Sequence, residues 1–294
     1  MKITVLIVTF NGAKWIDKML QSVLNSSILV EILVVDNAST DNSVPLIEKY
    51  SQVQLVKSAV NLGFGKANNI GIKLALEQNS DYIFLLNQDT WVFEKTIETL
   101  VKGANQHPDF GIISPLHFAA NETDLDENFS TYYTQKKSVV SNELTEVPFV
   151  NAAAWLVSKA CFEKVGLFEP LFNHYGEDRN FCSRLHFHGF RIGIATASKI
   201  VHDRIVRRNF KKDVFQSEYK ILNAFLDINN NIILSSVIAL KNVFGLPRFF
   251  YKNYSISKIL SLFIDLAKYY FKIMLNCKKI MNIRTQSIKG INGL

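Results

Sequence analysis

The stretch Asp81-Tyr82-Ile83-Phe84-Leu85-Leu86-Asn87-Gln88-Asp89-Thr90 constrains the fold of this chain more than any other. Tyr82 to Leu86 are apolar or aromatic without a break, and the run stops abruptly in polar residues. A run that short and unbroken reads as a strand buried on both faces of a parallel sheet. In open α/β sheets, ligands bind just outside the carboxyl ends of the strands. Asp89 is therefore offered to a ligand at the rim. A carboxylate there suits a hard divalent cation, and such a cation usually serves phosphates. The other role open to Asp89 is to cap the helix that begins near Glu94.

The chain before this stretch repeats the same unit. Ile3 to Thr9 is a β-branched strand ending in Thr9-Phe10-Asn11-Gly12. Ile16, Met19, Leu20, Val23 and Leu24 then recur at helical spacing. Glu31 to Asp36 is a second strand, followed by turn and cap residues from Asn37 to Ser43. Pro45 suits the first turn of the next helix. Val53 to Lys57 is a third strand. Ala67, Ile70, Gly71, Leu74 and Ala75 mark a closely packed helix, and Tyr82 to Leu86 is the fourth strand. Strands and helices alternating through short connections give an α/β, Rossmann-like, mostly parallel central sheet flanked by helices. Right-handed crossovers place the polar turns on one edge: Thr9 and Asn11, Asp36 and Ser39, Asn61 to Asn69, Asn87 and Asp89.

Further on, Ile97, Leu100, Val101 and Ala104 form a helix and Gly111 to Pro115 a strand. His117 to Glu146 is polar and turn-rich, a loop or hairpin excursion. Pro148 to Ser158 resumes as a strand, and Lys159 to Val165 is a short helix. Tyr175-Gly176-Glu177-Asp178 opens a helix to about His188. Phe190 to Ala195 is the last strand, with His202 beyond it.

Charge divides the chain in two. Residues 1–204 carry 18 Lys and Arg against 22 Asp and Glu, or −4; residues 205–294 carry 15 against 4, or +11, and the two sum to the net +7. A catalytic unit over 1–204 and a basic helical region over 205–294 follow, the latter with an anionic surface as partner. In that region Ile256, Ile259, Leu260, Phe263, Ile264, Ala267, Phe271 and Met274 hold a helical stripe beside Lys258, Lys268 and Lys272. Basic amphipathic helices lie on membrane surfaces or meet a partner helix, as in a homodimer. Packing back on its own domain is equally open. No stretch reaches the roughly 18 uninterrupted apolar residues of a membrane span, and no nucleic-acid motif accompanies the positive charge. Met1 to Phe10 reads as a strand, not a signal peptide. Cys161, Cys182 and Cys277 have no paired spacing, which suits a reducing compartment and excludes a thiolate metal site.

Three polar features fit one chemistry. Asp89 ends a strand, Glu177-Asp178 opens a helix whose dipole favours negative charge, and His202 follows a strand. A divalent cation held by Asp89 and a neutral His202 imidazole leaves positions for phosphate oxygens and water. Asp178 is then placed as general base on an incoming hydroxyl. Each residue also has a plainer role: helix-terminal charge for Glu177 and Asp178, a satisfied surface histidine for His202.

The motifs Val8-Thr9-Phe10-Asn11-Gly12, Val34-Val35-Asp36-Asn37-Ala38-Ser39-Thr40-Asp41, Asn61-Leu62-Gly63-Phe64-Gly65-Lys66-Ala67-Asn68-Asn69-Ile70-Gly71, Leu85-Leu86-Asn87-Gln88-Asp89-Thr90, Gly166-Leu167-Phe168-Glu169 and Tyr175-Gly176-Glu177-Asp178 occur in that order. Over Lys2 to Arg204 the chain thereby resembles the family 2 glycosyltransferases with the GT-A fold, the bacterial rhamnosyltransferase-like branch in particular. The resemblance implies that Thr9 and Asn11 line the base and ribose pocket. It implies that Asp36 accepts the pyrimidine imide N–H, that Asn61, Lys66 and Asn68 close over the nucleotide, and that Asp89 and His202 hold the metal. Asn87 replaces the first Asp of the family's Asp-x-Asp motif and is left a ribose contact. Asp178 matches the catalytic base. After His202 stands Asp203-Arg204-Ile205-Val206-Arg207-Arg208, where relatives often have a Ser-containing stretch.

The implied reaction is an inverting, in-line transfer of a sugar from a UDP- or dTDP-sugar to a saccharide acceptor, assisted by Mn²⁺ or Mg²⁺. The acceptor site is expected around Glu177, Trp155 and the His117 to Glu146 loop; Trp155 is equally suited to core packing. A lipid-linked acceptor at the inner face of the plasma membrane, in surface polysaccharide assembly, accounts for the basic tail. The rival readings are a silent binding protein of the same fold and a sugar nucleotidyltransferase. The latter lacks its Gly-rich, basic loop here, since only Lys14 lies near the first turn. A dinucleotide dehydrogenase is excluded because no G-x-G-x-x-G follows the first strand.

Overall fold

The computed structural model describes residues 1–134, 138–204 and 208–291. Ile205, Val206 and Arg207, quoted above after His202, lie outside the described residues, as does the boundary drawn at 205.

The first half follows the expected alternation. Strand β1 (Ile3–Thr9) leads to helix α1 (Ala13–Leu24), β2 (Glu31–Asp36) to α2 (Ser43–Ile47), β3 (Val53–Lys57) to α3 (Phe64–Glu77), and β4 (Tyr82–Asn87) to the three-residue β5 (Thr90–Val92). Then come α4 (Thr96–Gln106), β6 (Phe110–Phe118), α5 (Glu127–Tyr133), β7 (Ser138–Val139), β8 (Leu144–Glu146), β9 (Ala154–Ser158), α6 (Lys159–Val165), α7 (Glu177–Phe187) and β10 (Arg191–His202). Four helices close the chain: α8 (Phe210–Leu226), α9 (Ile232–Phe250), α10 (Ile256–Leu275) and α11 (Cys277–Lys289).

The strands form one mixed sheet in the order β3-β2-β1-β4-β9-β6-β10-β8-β7, with β5 paired to β10. β1, β2, β3 and β4 are parallel, and so are β6 and β10. β9 runs antiparallel between β4 and β6. Apolar alternation divides the sheet's two faces. Val5 and Ile7 of β1 join the core beneath α1 and α4, while Leu6 joins the core beneath α3, α6 and α7. Gly71 lets α3 approach β1, because a Cβ there would stand 2.2 Å from Leu6 Cδ1.

Three expectations change in extent. The strand read over Pro148 to Ser158 begins only at Ala154, because Phe149 to Ala153 leave the sheet to pack beside α7. The last strand runs past Ala195 to His202, bending at an irregularity between Ala195 and Lys199. The His117 to Glu146 excursion contains α5, started by Asp126, whose side chain accepts the Phe129 N–H; Gln135 to Lys137 within it lie outside the described residues.

The loop that leads into α7 is set by two polar clamps. Asn69 of α3 donates to the Phe168 carbonyl at 2.8 Å and accepts the Phe168 N–H at 2.9 Å. Arg184, fully buried, donates to the carbonyls of Val165 and Leu167 at 2.5 and 2.6 Å and to Asn180 Oδ1 at 3.0 Å. Burial lowers its guanidinium to about 10, with Glu169 opposing the shift. Removing the donor would strand buried carbonyls, the costly half of any buried hydrogen bond. Arg184→Met is expected to lower unfolding stability by about 3 kcal/mol, read as a lower urea midpoint at unchanged m-value.

Candidate active site

Thr9, Asp36 and Asn87 end adjacent strands, so their side chains and following turns share one sheet edge. Thr9 donates to Gln88 Oε1 at 2.7 Å, and that same oxygen accepts the Phe10 N–H. Asn11 holds the second turn through its Oδ1, which accepts the Thr40 N–H at 2.8 Å. Asn61 Oδ1 accepts from Asn37 and from the Gly63 N–H, while Asn37 Oδ1 accepts the Leu62 N–H. These bonds tie the turns after β1, β2, β3 and β4 into one cradle. Asp36, only 3% exposed, accepts the Ser39 N–H on Oδ2, while its buried Oδ1 has no hydrogen-bond partner. An unsatisfied buried acceptor of this kind is costly unless a donor arrives. An imide N–H of a pyrimidine has the matching chemistry.

The second cluster forms where β5 pairs with the end of β10. Thr90 stands opposite His202, and the Asp203 N–H donates to the Asp89 carbonyl at 2.8 Å. Asp89 Oδ1 thereby lies 3.3 Å from His202 Nε2. The two expected metal ligands converge, although 113 positions separate them (202 − 89). His202 is buried and Asp89 is partly open, so a cation between them would have protein on one side and incoming oxygen ligands on the other. Among the described residues no third acid, Cys or His completes an all-protein cage. That suits a site that keeps positions for phosphates. Asp203 is committed elsewhere: its Oδ2 accepts from Trp15 Nε1 at 2.9 Å.

Behind His202 lies a shell that the sequence did not announce. Arg204 makes a bidentate pair with Asp126, at 2.6 and 2.9 Å, and Asp126 Oδ2 is 4.0 Å from His202 Nδ1. The His117 ring meets His202 edge-on at 6.4 Å and stacks on Phe129. Burial pushes the His117 imidazole well down, which keeps it neutral. Asp126 sat among Glu122, Asp124 and Glu127 in what read as a solvated acidic loop, so no periodicity distinguished it.

Glu177 and Asp178 start α7 after Gly176, whose φ of +89° sets the turn. The Asp178 carboxylate accepts the Arg179 N–H at 2.7 Å and a backbone N–H from Ala152. The Ala153 carbonyl in turn accepts the Asn87 N–H at 2.9 Å. Asp178 is therefore anchored one residue from the segment that pairs with the Asn87-Gln88-Asp89 turn. Burial raises the Tyr132 phenol, which also feels the charges of Arg179, Asp178, Arg204 and Asp126. Burial raises the Asp178 carboxyl, partly offset by the Arg179 guanidinium. A raised carboxylate is a stronger base. Burial and the Asp178 charge push Glu177 up to about 8.

Lys66 reaches Asn173 at 3.2 Å and faces the same loop. Thr9, expected to line the nucleotide pocket, is 0% exposed and Glu177, expected at the acceptor site, 4%; two further expected site residues are also placed in the interior. Trp155 is 0% exposed, stacked on Phe168 and tilted against Phe181. Its strand is central, with neighbours on both sides, so the core role prevails over a sugar platform. Asn68 is turned into its own helix, donating to the Phe64 carbonyl at 2.9 Å. Asn69, one residue on, does the tertiary work instead.

The family model for glycosyl transferase family 2 matches residues 4–166. The chain is 24% identical over 224 residues to the low-salt glycan biosynthesis hexosyltransferase Agl10 of Haloferax volcanii, covering 73% of this chain and 70% of that one. It is 27% identical over 219 residues to the dTDP-rhamnosyl transferase RfbF of Shigella flexneri, covering 68% and 71%. In structure it is similar to S. aureus TarS 1–349 in complex with UDP-GlcNAc, with a TM-score of 0.66, 17% identity, and coverage of 92% of this chain and 82% of that one. That likeness is one of fold, and the fold is GT-A.

Glu177 yields a stability prediction. The unfolded chain releases this proton near 4.5, whereas the native chain holds it to about 8. Between those values the unfolded state binds fewer protons, so stability falls as pH rises, by about 3–5 kcal/mol in all. Glu177→Gln, which cannot ionise, is expected to remove most of the decline in Tm between pH 5 and pH 8 and to be more stable than the parent at pH 8.

Proposed function

This chain belongs to glycosyl transferase family 2, and on that premise we propose that it transfers a hexosyl or rhamnosyl residue from a uridine or thymidine diphosphate sugar to a saccharide hydroxyl, with inversion. One observation carries the reading: a pyrimidine-matching acceptor at Asp36, the Asp89–His202 pair and the Asp178 carboxylate all open on one edge of the sheet. Uracil and thymine both present an imide N–H, so Asp36 serves either base. The dTDP and UDP in the names of the two relatives above agree with that choice.

In the proposed reaction the nucleotide lies across the turns after β1, β2 and β4, with Asn11, Asn61 and Lys66 around it and Asn87 toward the ribose. Asp178 accepts the proton of the acceptor hydroxyl. The oxygen forms its bond to the anomeric carbon from the face opposite the diphosphate. The bond from that carbon to the diphosphate oxygen breaks, and the electron pair leaves with the diphosphate. Asp89 and His202 are the residues that would hold a divalent cation, Mn²⁺ or Mg²⁺, which supplies countercharge to the leaving group. Glu177, buried beside Asp178, is raised by burial and by the Asp178 charge. We place the acceptor, a lipid-linked saccharide of surface polysaccharide assembly, between Asp178 and α5, with the enzyme at the inner face of the membrane.

Asp178→Asn is expected to lower kcat by about 10²- to 10⁴-fold while leaving nucleotide binding by calorimetry unchanged. A protein that only binds nucleotide sugars would show no turnover in the parent and nothing for the substitution to remove. The parent's kcat/KM should fall on the acid side with a midpoint above the ordinary aspartate value, since the working form of Asp178 is deprotonated and its pKa is raised.

A further inference from the structure

Helices α9 and α10 carry their largest apolar side chains on the outside. The inward positions along the first two-thirds of α9 are Ser235, Ala239 and Val243. The outward ones are Ile233, Val237, Leu240 and Phe244, with Ile233 74% exposed. A helix of a water-soluble surface is patterned the other way round. On α10 only Leu262, Leu266 and Ile273 are buried, while Ile256, Leu260, Ile264, Phe271 and Leu275 face out. Phe244 lies 5.5 Å from Phe263, so the two stripes join into one face. At its far end this face opens into an apolar cavity of about 240 Å³ between Ile233 and Met274.

We propose that this face docks on an anionic lipid bilayer, with α9 and α10 lying in the plane of the interface. Charge selects the occupant. Residues 232–289 contain ten Lys and Arg, of which Arg284 is buried on internal carbonyls, and Asp265 is the one acid. A second copy of the same face would set like charge against like, whereas anionic headgroups meet the rim and acyl chains meet the stripe. α9 is long and apolar enough to cross a membrane, but Lys241 falls at its middle, where a charge is costly inside a bilayer. Lying flat, the helix lets Lys241 reach the headgroups. Its inner face is also occupied, packed on α8 and α10 in a core of its own with Phe225, Leu246 and Leu262.

The turn at the end of the docked face packs on the helix that holds the loop before Asp178. Phe250 and Tyr254, at the turn between α9 and α10, pack on Arg208 and Phe210 at the start of α8. Helix α8 holds the loop before Asp178, through Tyr219 to the Asn173 N–H and Asn223 to the Gly176 carbonyl. A hydroxyl carried on a lipid anchor would meet Asp178 from the bilayer side. That last step rests on the transferase reading; the docking rests on the helices alone.

The test is co-sedimentation of the full chain with phosphatidylcholine vesicles, with and without phosphatidylglycerol. The parent is expected to pellet with the anionic vesicles and to be released by salt. Leu240→Glu combined with Ile264→Glu, both at exposed positions, should weaken binding by about tenfold or more with circular dichroism unchanged. Lys241→Glu combined with Lys268→Glu, which leaves the apolar packing intact, should weaken binding to the anionic vesicles only. The proposal fails if the parent stays in the supernatant, if both double variants pellet like the parent, or if light scattering finds a dimer that Leu240→Glu with Ile264→Glu makes monomeric. Turnover on a soluble acceptor, measured on the same samples, should survive in all variants. Its absence in the parent, with vesicle binding intact, would count against the transferase reading alone.

Discussion

The pairing of Asp89 with His202 depends on three residues of antiparallel pairing. β5 is too short to be stable alone, yet it sets Thr90 opposite His202 and so brings Asp89 within 3.3 Å of a histidine more than a hundred residues away. Closing so long a loop costs entropy that local contacts do not return. The surrounding structure supplies the difference: the Asp203 N–H bonds to Asp89, Thr96 accepts the Phe93 N–H and donates to the Lys199 carbonyl, and Arg204 grips Asp126. Each bond fixes β5 against the end of β10. A pair built this way is held by the sheet itself.

Asp178 is positioned on the same principle, by contacts distant in the chain. Its helix begins at a glycine in the left-handed region, and the loop before it is fixed by Asn69 and the buried Arg184. Removing Glu177 and Asp178 from water side by side is unfavourable in isolation. Burial raises both carboxyls, and the Asp178 charge raises Glu177 further. Perturbed carboxyls of this kind are common at active sites.

The four C-terminal helices form a third core around Phe225, Leu246 and Leu262 while leaving apolar side chains on the surface. The same helices brace the loop before Asp178. Of the four, α8 makes those contacts, and α9 and α10 pack on α8 while carrying the outward apolar side chains.

The amino-acid pattern alone was enough for the strands β1 to β4, their helices and the edge on which Asp36, Asn61 and Asp89 gather, because buried parallel strands write unbroken apolar runs and their turns write polar ones. It was enough, too, for Asp178 at a helix start. It left undecided whether Trp155 faces sugar or core, since an indole suits both; the central position of β9 decided for the core. It could not foresee β5, Asp126–Arg204 or the Asn69 clamp, because their partners lie far along the chain and single polar residues carry no period. The outward apolar face of α9 was hidden for the opposite reason: a helix apolar on nearly every side shows no preferred direction, and only packing reveals which side was left uncovered.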